Sequence, residues 1–231
     1  MLTKNKTHSY LEQTKELYGN VLYYEKANRT AHPKDPLVDS INQNAKILND
    51  YEVSICMCQK CHLGESRINF VFGGGDPRAE LMLIGEAPGE NEDKRGEPFV
   101  GRSGILLDKI LSAINLNRQA GVYISNVLKC RPPDNRNPLN SEINECEPYL
   151  KNQVNIIKPK LLVALGKIAG KTLTREDIPL KEMRKKTYYY NEIPLRVTYH
   201  PAAILRDPSL KADTWEDFKW IRNFLSNYES Q

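Results

Sequence analysis

The chain has 231 residues, enough for one α/β domain with a buried core and a short additional segment. Its net charge of +4 allows nucleic acid to bind through local basic patches but does not require it. No apolar run reaches the roughly eighteen residues of a membrane-spanning helix, and Met1–Asn20 lacks the residue order of a signal peptide. We therefore expect a cytoplasmic protein without a membrane partner.

Residues 1–50 are rich in Asn, Lys, Thr and Tyr and carry no motif with evident chemistry. The helix breakers in His32–Pro36 separate two candidate helices, Tyr10–Lys26 and Leu37–Tyr51. We predict an N-terminal arm or helical extension over residues 1–50 and one main domain over residues 51–231.

From Cys56 onward, short apolar runs alternate with segments of helical periodicity. Buried parallel strands are predicted at Leu81–Ile84, Val122–Ile124 and Leu161–Leu165. Helices are predicted at Gly104–Ile114, Ser141–Ile157, Ile168–Leu173 and Trp215–Tyr228. Tyr188–Tyr190 and Leu195–Tyr199 flank Asn191-Glu192 like paired edge strands.

This alternation predicts a three-layer α/β/α sandwich around a mostly parallel central sheet. In such sheets, ligands bind beyond the carboxyl ends of the strands. The functional residues are therefore expected in the loops that directly follow the predicted strands.

Five cysteines occur, at positions 56, 58, 61, 130 and 146. An odd number in an intracellular protein argues against a disulfide framework and favours metal or cluster ligation. The pair Cys58-x-x-Cys61, followed by the separated Cys130 and Cys146, is typical of 4Fe–4S cluster ligands. A zinc ion and unligated buried thiols are the alternatives. Cys56 is left over as a spare residue.

The segment after the first predicted strand, from Gly85 to Gly101, is dense in Gly, Pro and carboxylates. Its glycines let the backbone approach a ligand closely, and exposed amides there can hold carbonyl oxygens. An acidic solvated turn would explain this composition but not Phe99, an aromatic residue where no core periodicity requires one. A planar ring on a pocket wall is suited to stack on a nucleobase.

Several segments resemble the motifs of one known family, the iron–sulfur uracil-DNA glycosylases of family 4. They are Gly85–Gly89, Glu92-Asp93 and Pro98–Gly101, then Asn126–Pro133, and finally His200–Arg206. The match runs in order from about Cys58 to Arg206, and four cysteines fall where this family has its cluster ligands. The first fifty residues are not covered by the resemblance.

The resemblance implies a DNA-repair hydrolase that flips uracil out of DNA and cleaves its N-glycosidic bond, leaving an abasic site. It implies a uracil-DNA glycosylase-like fold over residues 51–231 and a 4Fe–4S cluster. The implied cluster ligands are Cys58, Cys61, Cys130 and Cys146. We expect a monomer that acts on single- or double-stranded uracil-containing DNA at the nucleoid.

The matched residues imply a base-reading pocket. The side-chain amide of Asn126 can accept from N3–H and donate to O4 of uracil, a pattern that cytosine reverses. Phe99 would stack on the uracil ring. The backbone of Gly85, Glu86 and Ala87 would surround the uracil carbonyl groups.

Catalysis must stabilise the negative charge on the departing uracil, chiefly at O2, and His200 is suited to donate an N–H there. Glu86, Glu92 and Asp93 are candidates to orient or deprotonate the attacking water, and Glu86 is favoured. Better-known uracil glycosylases have an aspartate after the residue that matches Glu86, whereas this chain has Ala87. Glu92 can instead lie near uracil C5, where its bulk would exclude thymine.

Displacing a base from DNA requires phosphate contacts and an apolar wedge. The candidates for phosphate contacts are Ser103, Lys167 and Arg206, and those for the wedge are Ile204 and Leu205. A basic stripe, Arg184–Lys186 followed by Tyr188–Tyr190, is expected either to track the DNA strand or to form a solvated hairpin.

Two other functions compete with this prediction. A related variant traps uracil covalently through a histidine in the loop after the cluster cysteine that matches Cys130, but the loop Arg131–Pro138 contains no histidine. A non-catalytic iron–sulfur protein that binds DNA or senses redox state is the second alternative.

Overall fold

A computed structural model describes residues 36–228 of the chain. The candidate helix Tyr10–Lys26 lies outside the described residues, and the division at residue 50 stays a prediction. Asp39–Gln231 form one compact unit. Within the described range, no helix has both the length and the apolar character needed to cross a membrane.

The described residues form one mixed sheet of six strands. The strands are β1 (Gly74–Gly75), β2 (Leu81–Gly85), β3 (Val122–Asn126), β4 (Leu161–Leu165), β5 (Tyr188–Tyr190) and β6 (Ile193–Thr198). Their order across the sheet is β1-β3-β2-β4-β6-β5. The four inner strands are parallel, and each edge strand runs antiparallel to its neighbour.

Helices connect the strands. They are α1 (Pro36–Ile55), α2 (Leu63–Ser66), α3 (Glu90–Arg95), α4 (Arg102–Ser112), α5 (Asn140–Ile157), α6 (Lys167–Thr174), α7 (Leu180–Met183), α8 (Pro201–Arg206) and α9 (Lys211–Tyr228). The end of α5 shows how sequence limits a helix: Lys158 takes a left-handed conformation, and Pro159 follows it.

Alternate residues of the inner strands face two separate cores, as the pleat of a strand requires. Met82 and Ile84 pack in a core with apolar residues of α5 and α6. Leu81 and Leu83 pack in a second core with residues of α4 and α9. Helices therefore cover both faces of the sheet, and the predicted three-layer α/β/α sandwich is confirmed.

The predicted elements within the described residues are all present, close to their expected ends. The candidate helix Leu37–Tyr51 is α1, and the terminal helix begins at Lys211 rather than Trp215. The sequence patterns did not predict the two-residue strand β1, the four-residue helices α2 and α7, or the helices α3 and α8. Helices α3 and α8 each have only six residues and lie beside glycine or proline, so neither gives a clear periodic signal.

The carboxyl ends of the four inner strands lie side by side. Gly85 of β2 pairs with Asn126 of β3, and Leu165 of β4 pairs with Thr198 of β6. The loops that follow these strands therefore meet at one edge of the sheet, where ligands of parallel sheets bind.

Candidate active site

A cleft of about 630 Å³ lies at this carboxyl edge. Its volume is within the range of roughly 300–1,000 Å³ that is usual for small-molecule sites. The candidate residues that line it are Glu86, Ala87, Glu92, Phe99, Ser103, Asn126, Lys167, His200 and Arg206. Residues at or after the ends of the four inner strands thus meet in one space, although they are widely separated along the chain.

Asn126 is the last residue of β3 and is almost completely buried. Among the described residues, its side-chain Oδ1 is the one buried side-chain polar atom without a hydrogen-bond partner. An unpaired buried acceptor costs about 1–3 kcal/mol. A cleft that keeps such an atom is suited to a ligand that supplies the missing donor.

Phe99 and Asn126 approach each other above Gly85. A Cβ atom at Gly85 would lie 2.3 Å from Asn126 Oδ1 and 2.8 Å from the Phe99 ring, so only glycine allows this arrangement. Phe99 has a left-handed backbone with φ of 53°, a conformation that costs roughly 1–3 kcal/mol for such a residue. Its ring is stacked beside the imidazole of His200, with ring centres 5.4 Å apart.

His200 follows β6 and is the N-cap residue of α8. Its Nδ1 accepts a hydrogen bond from the Ala202 amide at 3.1 Å, so the ring hydrogen of the neutral imidazole is on Nε2. Burial and the nearby Arg206 lower the His200 pKa to about 4, against a smaller opposing effect of Glu92. At neutral pH, His200 is therefore an uncharged N–H donor at the cleft.

Glu86 directly follows β2 and is half-buried at the cleft. Burial raises the pKa of its carboxyl group. Within the described part of the chain, no hydrogen bond or ion pair engages that group. A half-buried carboxylate without a partner is available to accept a proton from water.

The other two carboxylates have structural partners. Glu92 Oε1 accepts hydrogen bonds from the amides of Val100 and Gly101, both at 2.9 Å. Asp93 is buried, and its Oδ1 accepts from the amides of Ile68 and Asn69. Asp93 therefore stabilises a loop, and the expectation that it is a candidate to orient water is wrong.

Four of the five cysteines converge from distant parts of the chain. Cys130 is near enough to Cys58 and Cys61 for their charges to act on it, and Cys146 is near Cys61 and Cys130 in the same sense. All four pack in one hydrophobic core. The thiol of Cys56 instead donates to the Val53 carbonyl within α1, at 3.4 Å.

Three of these sulfurs accept a hydrogen bond. The donors are Arg67 Nη1 to Cys130 (3.2 Å), the Lys129 amide to Cys146 (3.3 Å) and the Tyr149 hydroxyl to Cys58 (3.1 Å). Burial raises the pKa values of the Cys130 and Cys146 thiols, the latter to about 12. Residues 36–228 contain no group of three or more His, Cys, Asp or Glu side chains arranged to hold a metal ion.

The chain also matches known proteins. The model of the uracil DNA glycosylase superfamily matches residues 72–219. A type-4 uracil-DNA glycosylase of Sulfurisphaera tokodaii is 44% identical over 183 residues, which cover 76% of this chain and 83% of the relative. The chain belongs to the type-4 uracil-DNA glycosylases of this superfamily.

Two further type-4 uracil-DNA glycosylases support this family membership. The protein of Archaeoglobus fulgidus is 40% identical over 182 residues, covering 75% of this chain and 91% of the relative. The protein of Pyrobaculum aerophilum is 42% identical over 168 residues, which cover 69% of this chain and 85% of the relative. The resemblance inferred from the sequence motifs is confirmed.

The expected DNA contacts of this type-4 glycosylase are only partly accessible. Ser103, Lys167 and Arg206 line the cleft. Leu205 is 41% exposed, but Ile204 is only 2% exposed and packs inside the protein. Of the two wedge candidates, only Leu205 is therefore accessible in this structure, and the role of Ile204 stays a prediction.

The basic stripe is also different from the expectation. Arg184 is buried, and its guanidinium binds the carboxylates of Asp213 and Asp217 in α9. Lys185 and Lys186 each pair with a nearby glutamate. Arg184 therefore holds α9 against the sheet and cannot contact a DNA backbone.

The polar cleft residues that the sequence patterns did not indicate include Asn135, Arg136 and Asn137. They lie in the loop after β3, where Asp134 and Asn135 both have left-handed backbones. Arg136 binds the buried carboxylate of Glu142 through two nitrogens, at 2.6 and 2.9 Å. The position of this polar loop at the carboxyl edge is the signal that could have identified it.

Proposed function

We propose that this type-4 family member flips uracil out of DNA and hydrolyses its N-glycosidic bond, releasing free uracil and leaving an abasic site. The observation that carries the proposal is the buried Oδ1 of Asn126, which has no hydrogen-bond partner within residues 36–228 and lies beside the Phe99 ring. The slot offers a ring-stacking wall and a polar edge in adjacent positions. These are the two properties that a flipped nucleobase requires.

Asn126 reads the edge of the base in this account. Its Oδ1 accepts the hydrogen of uracil N3, which supplies the missing partner, and its Nδ2 donates to O4. Cytosine has an acceptor at N3 and a donor at N4, so both contacts would be mismatched. The backbone of Gly85, Glu86 and Ala87 lies next to the base in the same proposal.

His200 stabilises the leaving group. When the bond between C1′ and N1 breaks, its electron pair leaves with uracil, and negative charge develops at O2. The neutral Nε2–H of His200 donates to that oxygen. The low pKa of His200 means that its side chain is a neutral imidazole at neutral pH, so it donates a hydrogen bond to O2 instead of transferring a proton as an imidazolium would.

Glu86 orients the attacking water, whose oxygen forms the new bond to C1′ and whose proton passes to the carboxylate. The absence of any engagement of Glu86 in the described residues supports this role, as does its half-buried position. Glu92 acts differently, because one of its oxygens is already committed to Val100 and Gly101. It shapes the pocket rather than activating water.

DNA is held at the rim of the cleft in this proposal. Ser103, Lys167 and Arg206 contact phosphates, and Leu205 fills the gap that the base leaves in the duplex. In the same proposal the enzyme acts as a monomer, and residues 1–50 are an N-terminal arm or helical extension.

The residues around the converging cysteines fit a 4Fe–4S cluster. Cys58, Cys61, Cys130 and Cys146 would hold it, and the donors to three of the sulfurs are of the kind that stabilise cluster thiolates. A zinc ion held by the same thiolates is the alternative. The cluster would supply a structural cross-link and no step of the hydrolysis.

A cleavage assay tests the proposed function. Purified chain is incubated with an oligonucleotide that contains one uracil, treated with alkali to cut abasic sites, and compared with a matched thymine oligonucleotide. We expect cleavage at uracil alone. Binding without cleavage would favour the non-catalytic alternative, and a denaturant-stable protein–DNA adduct would favour covalent trapping.

A further inference from the structure

The loop that carries Phe99 is held from both sides. On one side, Glu92 Oε1 accepts the amides of Val100 and Gly101, as described above. On the other side, Arg118 donates from Nη1 to the Pro98 carbonyl at 2.7 Å and from Nη2 to the Phe99 carbonyl at 2.5 Å. The peptide groups before and after the Phe99 side chain are therefore both bound by charged residues.

Arg118 is itself held in place. Its Nε donates to Asp108 Oδ1 of α4 at 2.6 Å, and its side chain is only 21% exposed. A guanidinium that binds a carboxylate through one nitrogen and two carbonyls through the others has a single preferred orientation. Arg118 does not line the cleft, so its influence on a base passes through the backbone of Pro98 and Phe99.

The position of the Phe99 carbonyl explains why such a donor is needed. A Cβ atom at Gly104 would lie 1.7 Å from the Phe99 oxygen, so this carbonyl is pressed against the first turn of α4. The left-handed backbone of Phe99 directs the carbonyl to that side and the ring to the cleft. A non-glycine residue keeps this conformation only when its surroundings hold it there.

We propose that Arg118 is a positioning residue for base recognition: it clamps the Pro98 and Phe99 carbonyls and so holds the Phe99 ring at the cleft wall. This role rests on the proposed function, because it assumes that Phe99 stacks on uracil. Asp108 supports the clamp by orienting the guanidinium.

The inhibition constant of free uracil measures the stacking site directly. We expect Arg118→Met to raise this constant about tenfold, part of the effect of losing a base stack, and Arg118→Lys and Asp108→Asn to raise it less. Affinity for DNA with an abasic site should stay within about twofold, since no stacked base is present there. The matched control is Arg175→Met, which breaks an arginine–glutamate pair outside the cleft and should leave uracil inhibition unchanged.

A double-mutant cycle separates positioning from general destabilisation. In a Phe99→Ala background, Arg118→Met should not weaken uracil inhibition further, because the ring it positions is gone. Additive effects of the two substitutions would overturn the role. An unchanged inhibition constant in Arg118→Met would also overturn it. If the methionine variant does not fold, an unchanged constant in both Arg118→Lys and Asp108→Asn would do the same. A parent chain that neither binds nor releases uracil would instead overturn the proposed function and this role with it.

Discussion

The cleft and the cysteine region differ in how many of their polar atoms already have hydrogen-bond partners. In the cleft, Asn126 Oδ1 is buried without a partner among the described residues, and Glu86 is likewise not engaged there. In the cysteine region, three sulfurs, those of Cys58, Cys130 and Cys146, already accept hydrogen bonds. In the proposed function, the cleft receives a base that binds and leaves, and the cysteine region holds a permanent group. Substitutions should affect rate in the first region and stability in the second.

The largest effect is expected in the cysteine region. Cys130→Ala should remove a cluster ligand and leave a chain that folds poorly, because cluster ligation stabilises the fold that surrounds it. The variant should also lack the brown colour that a 4Fe–4S cluster would give the parent. Iron content, expected at about four per chain in the parent, and thermal unfolding check this result.

Cys56→Ala is the matched control, since the Cys56 thiol donates to the carbonyl of Val53 in its own helix and is not one of the four proposed cluster ligands. It should keep the iron and the thermal midpoint of the parent. Stoichiometric zinc in protein prepared without oxygen would contradict the cluster, as would a Cys130→Ala chain that stays as stable as the parent.

In the cleft, His200→Ala should have the strongest effect on rate. Removing a donor to a developing anion typically lowers the rate by about a hundredfold or more. Binding of uracil DNA should change little, because the donor acts mainly in the transition state. Single-turnover cleavage and a binding titration measure the two quantities, and a loss of binding with an unchanged cleavage rate would refute the assignment.

The pH dependence should identify Glu86. Burial raises its pKa, so kcat/KM should fall as pH decreases through a value above that of an ordinary carboxyl group. His200 remains neutral down to about pH 4 and does not produce this fall. Glu86→Gln should lower the rate and flatten the acidic limb of the profile. A limb that persists in this variant would assign the titration to another group.

The smallest effect is expected for Phe99→Ala. Stacking contributes about 1–3 kcal/mol per base and does not depend on the pattern of donors and acceptors. The variant should therefore bind uracil more weakly but keep its preference for uracil over cytosine. Inhibition by the two free bases measures this, and a selective loss of uracil would mean that Phe99 also reads the edge.

Much of the fold could be predicted because three of the four inner strands, β2, β3 and β4, are short, mainly apolar runs that are buried on both faces. Leu81–Gly85 is completely buried, and such a run has few alternatives to a central parallel strand. The positions of Asn126 and His200 followed from the same pattern, because both come at or just after a strand that ends at the carboxyl edge. The resemblance added their roles.

The errors have a common physical cause, which is contact over long sequence separation. Arg184 looked like part of a solvated basic stripe, but its partners Asp213 and Asp217 are in the terminal helix. Asp93 was a candidate to orient water, but its Oδ1 already accepts hydrogen bonds from the amides of Ile68 and Asn69. Such pairings cannot be deduced from local composition, because a charged residue has the same local signature whether or not a distant partner binds it.

Asn126→Asp is the substitution that tests whether Asn126 reads the edge of the flipped base. The carboxylate has two acceptors where the amide has one donor and one acceptor, and a mismatched polar group in a closed pocket costs about 1–3 kcal/mol, or roughly ten- to a hundredfold. The measurement is the single-turnover cleavage rate of oligonucleotides with one central uracil or cytosine. We expect Asn126→Asp to lower the rate of uracil cleavage by at least that factor and to leave the rate of cytosine cleavage unchanged or slightly increased. Uracil cleavage as fast as that of the parent would show that Asn126 does not read the base.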